Sequence, residues 1–279
     1  MISRALFFIF VYVPVMLVGV PSQFVITRVG LDWNFFPRVF HIVGCKFLGI
    51  RVTMLGEPAH GRPTLLLCNH ISWTDIIAIG SKADVTFVAK RAVRETFFVG
   101  FMASLQKTIF VDYSRRSDTH RTNKEMASRL AANGAVLLFA EGHRDLGSHV
   151  LPFRSALVGA AQQAMTEGGA KNVAIQPVVI AYTKLQGMPV TRAERAGISG
   201  VGVKGFKNVV KALLKSGVKD VTIAFGAPMP FPPDGDRKVL TKLAEAEVRR
   251  MLVALNRGQP VIVDHGAVAV LPTPVPATA

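Results

Sequence analysis

Cysteine is almost missing from this chain. Only Cys45 and Cys68 occur in 279 residues, which excludes a disulfide framework and a multi-cysteine zinc site. Both lie in apolar runs, where buried free thiols in a reducing compartment are expected. His41, His60, His120, His149 and His265 have no partners at metal-ligand spacing and no H-E-x-x-H appears, so no metal site is expected. No glycine-rich nucleotide fingerprint follows an apolar run, and Gly197-x-x-Gly200-x-Gly202 has none before it; no bound cofactor is expected. Acidic residues are scarce as well: 18 Asp and Glu face 33 Lys and Arg, a formal charge of +15. Two Trp and three Tyr offer little for stacking on bases. Without a recognisable binding motif, a nucleic-acid partner is not expected.

What is plentiful is apolar surface. Half of the residues are hydrophobic and the mean hydropathy is +0.35, which excludes a disordered chain. The length fits one large domain or two small ones. Apolar and basic together point to anionic lipid head groups or phosphorylated substrates.

Residues 5–27 carry no charge. As a helix they would reach about 34 Å at about 1.5 Å per residue, enough to cross a bilayer core. Pro14 and Pro21 interrupt the run and favour a kinked or re-entrant helix. A cleaved signal peptide fits less well, because the run is long, only Arg4 precedes it and no small-x-small site comes after it. Residues 33–50 read as an interfacial amphipathic helix, the second arm of a re-entrant hairpin, or a buried core helix. Residues 1–50 are therefore expected to anchor the protein to a membrane. Arg28, Arg38, Lys46 and Arg51 outnumber Arg4, which places the rest of the chain on the cytoplasmic side, here the inner membrane's cytoplasmic face.

Beyond residue 50 the pattern changes. Short apolar runs at 64–68, 85–89, 108–111, 135–139, 173–180 and 221–225 read as strands. Stretches 118–133, 155–167 and 237–255 read as helices, the first closed by Asn133-Gly134 and the second by Gly168-Gly169. The alternation predicts an α/β domain over 51–258 with a mainly parallel sheet flanked by helices. Residues 189–220, rich in Gly, Arg and Lys, resist assignment. Residues 259–279 read as a flexible end holding at most a short strand.

Four segments at the ends of apolar runs carry chemistry, and strand ends are where α/β proteins place their sites. The first is Asn69-His70-Ile71-Ser72-Trp73-Thr74-Asp75. Asp75 there is either a helix-capping acid or the group that takes a hydrogen bond from His70 and leaves the other ring nitrogen free as a base. Their spacing requires a bent loop to join them. The others are Ile109-Phe110-Val111-Asp112, then Glu141-Gly142-His143-Arg144, then Gln176-Pro177-Val178.

In this order and spacing the four segments resemble the glycerolipid acyltransferases, the lysophosphatidic acid acyltransferase family. The resemblance covers roughly residues 50–230, and Lys90 and Arg91 fit the segment before the second motif. It implies the glycerol-3-phosphate acyltransferase-like α/β fold, with His70 as general base on the acceptor hydroxyl and Asp75 orienting it. It also implies direct attack on an acyl thioester, with acyl-CoA or acyl-carrier protein as co-substrate. Glu141, Gly142 and Arg144 match the motif used around the acceptor's phosphate, and Lys90, Arg115, Arg116 and Arg154 are further basic candidates for binding an acidic substrate. The implied reaction converts lysophosphatidic acid to phosphatidic acid on an anionic membrane surface.

Several positions depart from the family pattern. Tyr113 stands where an Arg often comes directly after the Ile-Phe-Val-Asp aspartate. His143 and Asp145 alter the third motif, and Arg154, Ser155 and Ala156 stand where many members have a glycine. The run LPFRSALVGAA with IQPVVIAYT is similar to a subgroup that includes lyso-ornithine lipid acyltransferases, so O-acylation of lyso-ornithine lipid is the alternative activity. A non-catalytic lipid-binding protein on the same fold is the alternative of another class.

Overall fold

The computed structural model describes residues 6–31, 34–112, 116–132, 134–202, 206–232, 235–263 and 267–269. The centre of the fold is strand β2 (Thr64–Cys68), whose five residues are all buried. A run apolar on both faces belongs in the interior of a parallel sheet. β2 lies between β5 (Ala135–Phe139) and β6 (Ala174–Leu185), parallel to both. The sheet extends through β3 (Thr86–Lys90) and β4 (Ile109–Val111) on one side. On the other it ends in β8 (Lys219–Phe225), antiparallel to β6, and β1 (Ile50–Leu55). Two-residue strands β7 (Met188–Pro189) and β9 (Met229–Pro230) add to β6, giving nine strands among the described residues. The expected α/β class and mainly parallel sheet are therefore observed, with β1, β7 and β9 added.

Period two sorts the strand residues into two layers. Leu66, Cys68, Leu137, Phe139, Val178 and Ile180 face one core with α2 (Phe35–Leu48) and α3 (Thr74–Gly80). Leu65, Leu67, Val136 and Leu138 face the other, built on α6 (Arg116–Ala131), α7 (Gly159–Thr166) and α10 (Arg237–Asn256). Ala160, Ala161 and Ala164 are fully buried on α7, small enough to let that helix lie close to its neighbours. Helix α7 starts four residues later than its pattern predicts, because residues 155–158 form turns.

The unassigned stretch 189–220 holds α8 (Arg192–Ser199) and α9 (Phe206–Lys215). A capping box opens α8: the Thr191 side chain accepts from the Glu194 N–H, and the Glu194 carboxylate accepts from the Thr191 N–H. The end of the chain is less loose than its composition implies. Val261 and Val263 of β10 (Val261–Val263) are buried against Leu255 and Leu55, so the packed part runs past residue 258. β10 pairs with β11 (Ala267–Ala269), and residues 270–279 lie outside the described residues.

At the N-terminus a π-helical turn, Phe8–Tyr12, continues into α1 (Val13–Val29) without a break at Pro14 or Pro21. The 22 residues Phe8–Val29 form a helix long and apolar enough to cross a membrane, and Phe10, Leu17, Val18, Phe24 and Val25 are exposed on it. This is the basis for membrane association. Helix α2 folds back on α1. The rings of Phe40 and Phe47 meet those of Phe8 and Tyr12 at 5.3–5.7 Å, and Phe36 lies over Gly19. The opposite face of α2 buries His41, Gly44, Cys45 and Leu48. Gly44 meets Ile77, and Gly80 leaves room for the His41 ring. Of the readings for residues 33–50, the core helix is observed over Phe35–Leu48, and that helix also packs back on α1.

Candidate active site

β2 and β5 end side by side, with Cys68 opposite Phe139. Beyond them the Ala140 N–H donates to the Cys68 carbonyl, and both chains turn out of the sheet. Asn69 anchors this exit: its amide nitrogen donates to the Ile180 carbonyl at 3.0 Å and its oxygen accepts from the Ile180 N–H at 2.9 Å. The next residue is His70. Its ring stacks on Phe139, centroids 4.1 Å apart, and its Nδ1 lies 2.9 Å from Asp75 Oδ2.

The loop bends as the spacing requires. Asp75 sits in the first turn of α3, fully buried. Its Oδ2 also accepts from the Ile71 and Ser72 amides at 2.7 and 2.9 Å, and its Oδ1 accepts from the Tyr182 hydroxyl at 2.8 Å. Asp75 makes no capping bond to the amides of the helix itself; it holds the loop that enters the helix and the His70 ring. Four donors around one carboxylate fix its orientation. In the tautomer that donates Nδ1–H to Asp75, Nε2 carries the lone pair.

Glu141 lies behind this loop. Oε2 accepts from the His70 N–H at 2.7 Å and Oε1 from the Leu151 N–H at 2.8 Å. The residue is 2% exposed, so its carboxylate is taken up by main chain and does not face an acceptor lipid as its motif implied. Burial pushes its pKa up to about 7, against the pull of those two amides.

Cations gather at the same strand ends. Lys90 ends β3, and its Nζ lies 3.5 Å from His143 Nδ1. Arg154 Nη2 lies 2.9 Å from His143 Nε2. Gly142 adopts φ +70°, and a Cβ there would stand 3.1 Å from Arg154 Nε, so glycine suits both the turn and the close guanidinium. Arg144 reaches the Ser199 carbonyl at 3.4 Å. Among the described residues Lys90, Arg144 and Arg154 make no ion pair with a carboxylate. The Lys90 pKa is lowered by burial and by Arg154 and Arg144, and that of His143 by Lys90, burial and Arg154. Such a cluster favours an anion. Arg116 opens α6 after β4, which runs parallel to β3; Arg115 lies outside the described residues.

Two functional neighbours escape the motifs. Phe139 is legible only as a strand residue. Tyr182 lies 107 residues from Asp75; its one signal is a hydroxyl at the end of the apolar run Val178–Ala181, which demands a buried partner.

A family described as Acyltransferase matches residues 49–181. The chain is 38% identical to the lyso-ornithine lipid O-acyltransferase of Brucella abortus, over 86% of this chain and 90% of the relative. The chain belongs to the acyltransferase family. It is an O-acyltransferase, and the His70–Asp75 pair stands in the matched region. A 1-acyl-sn-glycerol-3-phosphate acyltransferase of Neisseria gonorrhoeae is 30% identical over 43% of this chain and 47% of its own length. The crystal structure of the 1-acyl-sn-glycerophosphate (LPA) acyltransferase PlsC from Thermotoga maritima superposes with a TM-score of 0.61. It covers 91% of this chain and 95% of its own at 21% identity, and so establishes the acyltransferase fold.

Proposed function

We propose that this acyltransferase moves a fatty acyl group from an acyl thioester, acyl-CoA or acyl-carrier protein, to the free hydroxyl of a lysolipid, with lyso-ornithine lipid as the acceptor. The observation that carries the chemistry is the buried Asp75 carboxylate fixing His70 Nδ1, which leaves Nε2 as the base. In this reading Nε2 takes the hydroxyl proton while the oxygen attacks the thioester carbon. The C–O bond forms, the C–S bond breaks, and the leaving sulfur recovers the proton from His70. Positioned base catalysis of this kind contributes about 10²–10⁴-fold. A lipid-binding scaffold would have no use for such a pair.

The near full-length similarity to the lyso-ornithine lipid enzyme supports that acceptor. Lys90 and Arg154 would take the ornithine carboxylate, a contact a guanidinium makes well. The same cluster favours a second reading, lysophosphatidic acid, because three cations that make no carboxylate ion pair among the described residues also suit a phosphomonoester. Cations after the apolar helix support placing the catalytic domain on the cytoplasmic face of the inner membrane.

The test offers lyso-ornithine lipid and lysophosphatidic acid separately, each with acyl-CoA and acyl-carrier protein donors. A kcat/KM about tenfold or more in favour of lyso-ornithine lipid is expected, a difference of about 1.4 kcal/mol. The reverse preference selects the second reading. Turnover that survives His70→Ala would sink the mechanism for either acceptor.

A further inference from the structure

Helix α4 (Arg91–Arg94) leaves β3 directly after Lys90 and leads into α5 (Phe97–Leu105). Residues 96–105 carry no charge. Gly100, Ala103 and Leu105 turn inward, while Phe97, Phe98 and Phe101 are 96%, 54% and 47% exposed. Three phenylalanines on one short helix are costly to leave in water and mark a contact surface. α5 lies beside the anchor helix, where the Gln23 amide donates to the Leu105 carbonyl at 3.4 Å. The exposed phenylalanines of α5 thus stand on a helix packed against the apolar helix Phe8–Val29. Around it stand Arg91, Arg94 and Lys107, with Glu95 as the single acid in 90–107. Apolar residues set below a basic fringe match an anionic leaflet.

We propose that α4–α5 is a second membrane-contacting element, in which Phe97, Phe98 and Phe101 insert among the acyl chains of an anionic bilayer. Its N-terminal end joins Lys90, so a lysolipid head group passes from the leaflet to the cation cluster without the lipid leaving the bilayer. This element is separate from the N-terminal anchor and acts whichever lysolipid is the acceptor.

The test uses the full-length enzyme in phosphatidylglycerol–phosphatidylethanolamine vesicles. Native Cys45 and Cys68 are buried, so a fluorophore can be placed at Phe97→Cys. A second label at Val239→Cys, 54% exposed on α10 across the sheet from α2, serves as the reference. Nitroxide-bearing lipids should quench the Phe97 label strongly and the Val239 label weakly. Equal weak quenching of both, with the Phe97 label open to aqueous iodide, overturns the proposal. Protection of that label from iodide and from nitroxide lipid alike would mean a second protein copy covers the helix, and also overturns it.

A second arm substitutes Phe97→Ser, Phe98→Ser and Phe101→Ser together. Activity should fall about tenfold or more on lysolipid embedded in vesicles, while changing less than about twofold on a short-chain monomeric acceptor. An equal effect on both acceptors, or none on either, overturns the role in substrate entry.

Discussion

Tyr182 donates its hydroxyl to Oδ1 of Asp75 at 2.8 Å, from the last residue of the continuous buried run of β6. The bond ties the loop that carries His70 to the centre of the sheet. Thr74 Oγ1 approaches the same phenol oxygen at 2.7 Å, and Ser72 Oγ donates to the Ile198 carbonyl. These bonds join three separate segments around the histidine loop: the loop itself, β6 and α8. Tyr182→Phe removes one donor without opening a cavity. Its kcat should fall about tenfold, the cost of one hydrogen bond to a charged group, with little change in acceptor KM. A change confined to KM would contradict the positioning role.

Asp75→Asn keeps the shape and places an amide against donors that need an acceptor. Because the histidine tautomer then loses its anchor, kcat should drop by about 10²–10⁴-fold. Rapid-quench measurement of a single turnover would locate the loss in acyl transfer.

Arg154→Ala removes the guanidinium beside Gly142 and His143 while leaving His70 and Asp75 untouched. Losing one charge-assisted contact should raise the acceptor KM about tenfold to a hundredfold and leave kcat nearly constant. Steady-state kinetics with lyso-ornithine lipid and with lysophosphatidic acid separate this from the Tyr182 effect.

Glu141 titrates against the fold. Its folded pKa is raised from 4.5 to about 7, so the native state holds a proton that the unfolded chain releases earlier. Stability is highest below about pH 4.5 as far as this group is concerned, and declines as pH rises to about 7. The total is on the order of 3 kcal/mol. Thermal melts of wild type and Glu141→Gln across that window should show the decline in the first and its absence in the second.

Lys219 is fully buried. Its ammonium donates to the carbonyls of Leu48, Leu213 and Gly217 at 3.1, 2.7 and 2.8 Å, which lie at the ends of α2 and α9. Lys219→Met strands those acceptors. A loss of about 3 kcal/mol is expected, or roughly 6–12 °C in Tm for a chain of this size. Calorimetry in detergent would measure it.

Apolar runs are enough to place β2, β3, β4, β5, β6 and β8, because a strand buried on both faces has no polar residues to spare. β1 is not legible: Arg51 and Thr53 give it a half-polar edge pattern. Pro177 argues against a central strand, yet it falls where β6 changes partner from β9 to β8. There the Gln176 side chain fills the gap with bonds to Ala59, Glu57 and Gly226. The His70–Asp75 pair is visible because both residues sit in one loop. Tyr182 is not, since only folding brings it near. Glu141 is visible as a residue but not as a role: a motif marks a position, while burial decides what the carboxylate touches.

Helix α2 is gripped on two sides, by α1 through Phe36, Phe40 and Phe47 and by α3 and Gly80 through His41 and Gly44, while Phe35, Arg38, Ile42 and Lys46 stay exposed. Leu48 at its end supplies a carbonyl to Lys219. The boundary at residue 50 is therefore a seam in the sequence only. Cutting there would strip a wall from the catalytic core, so a soluble fragment made by trimming the greasy end should not retain the native fold. Through α2 and α3 the loop that carries His70 is packed to the apolar N-terminal helix, like a tool bolted to a bench instead of one hung on a cord.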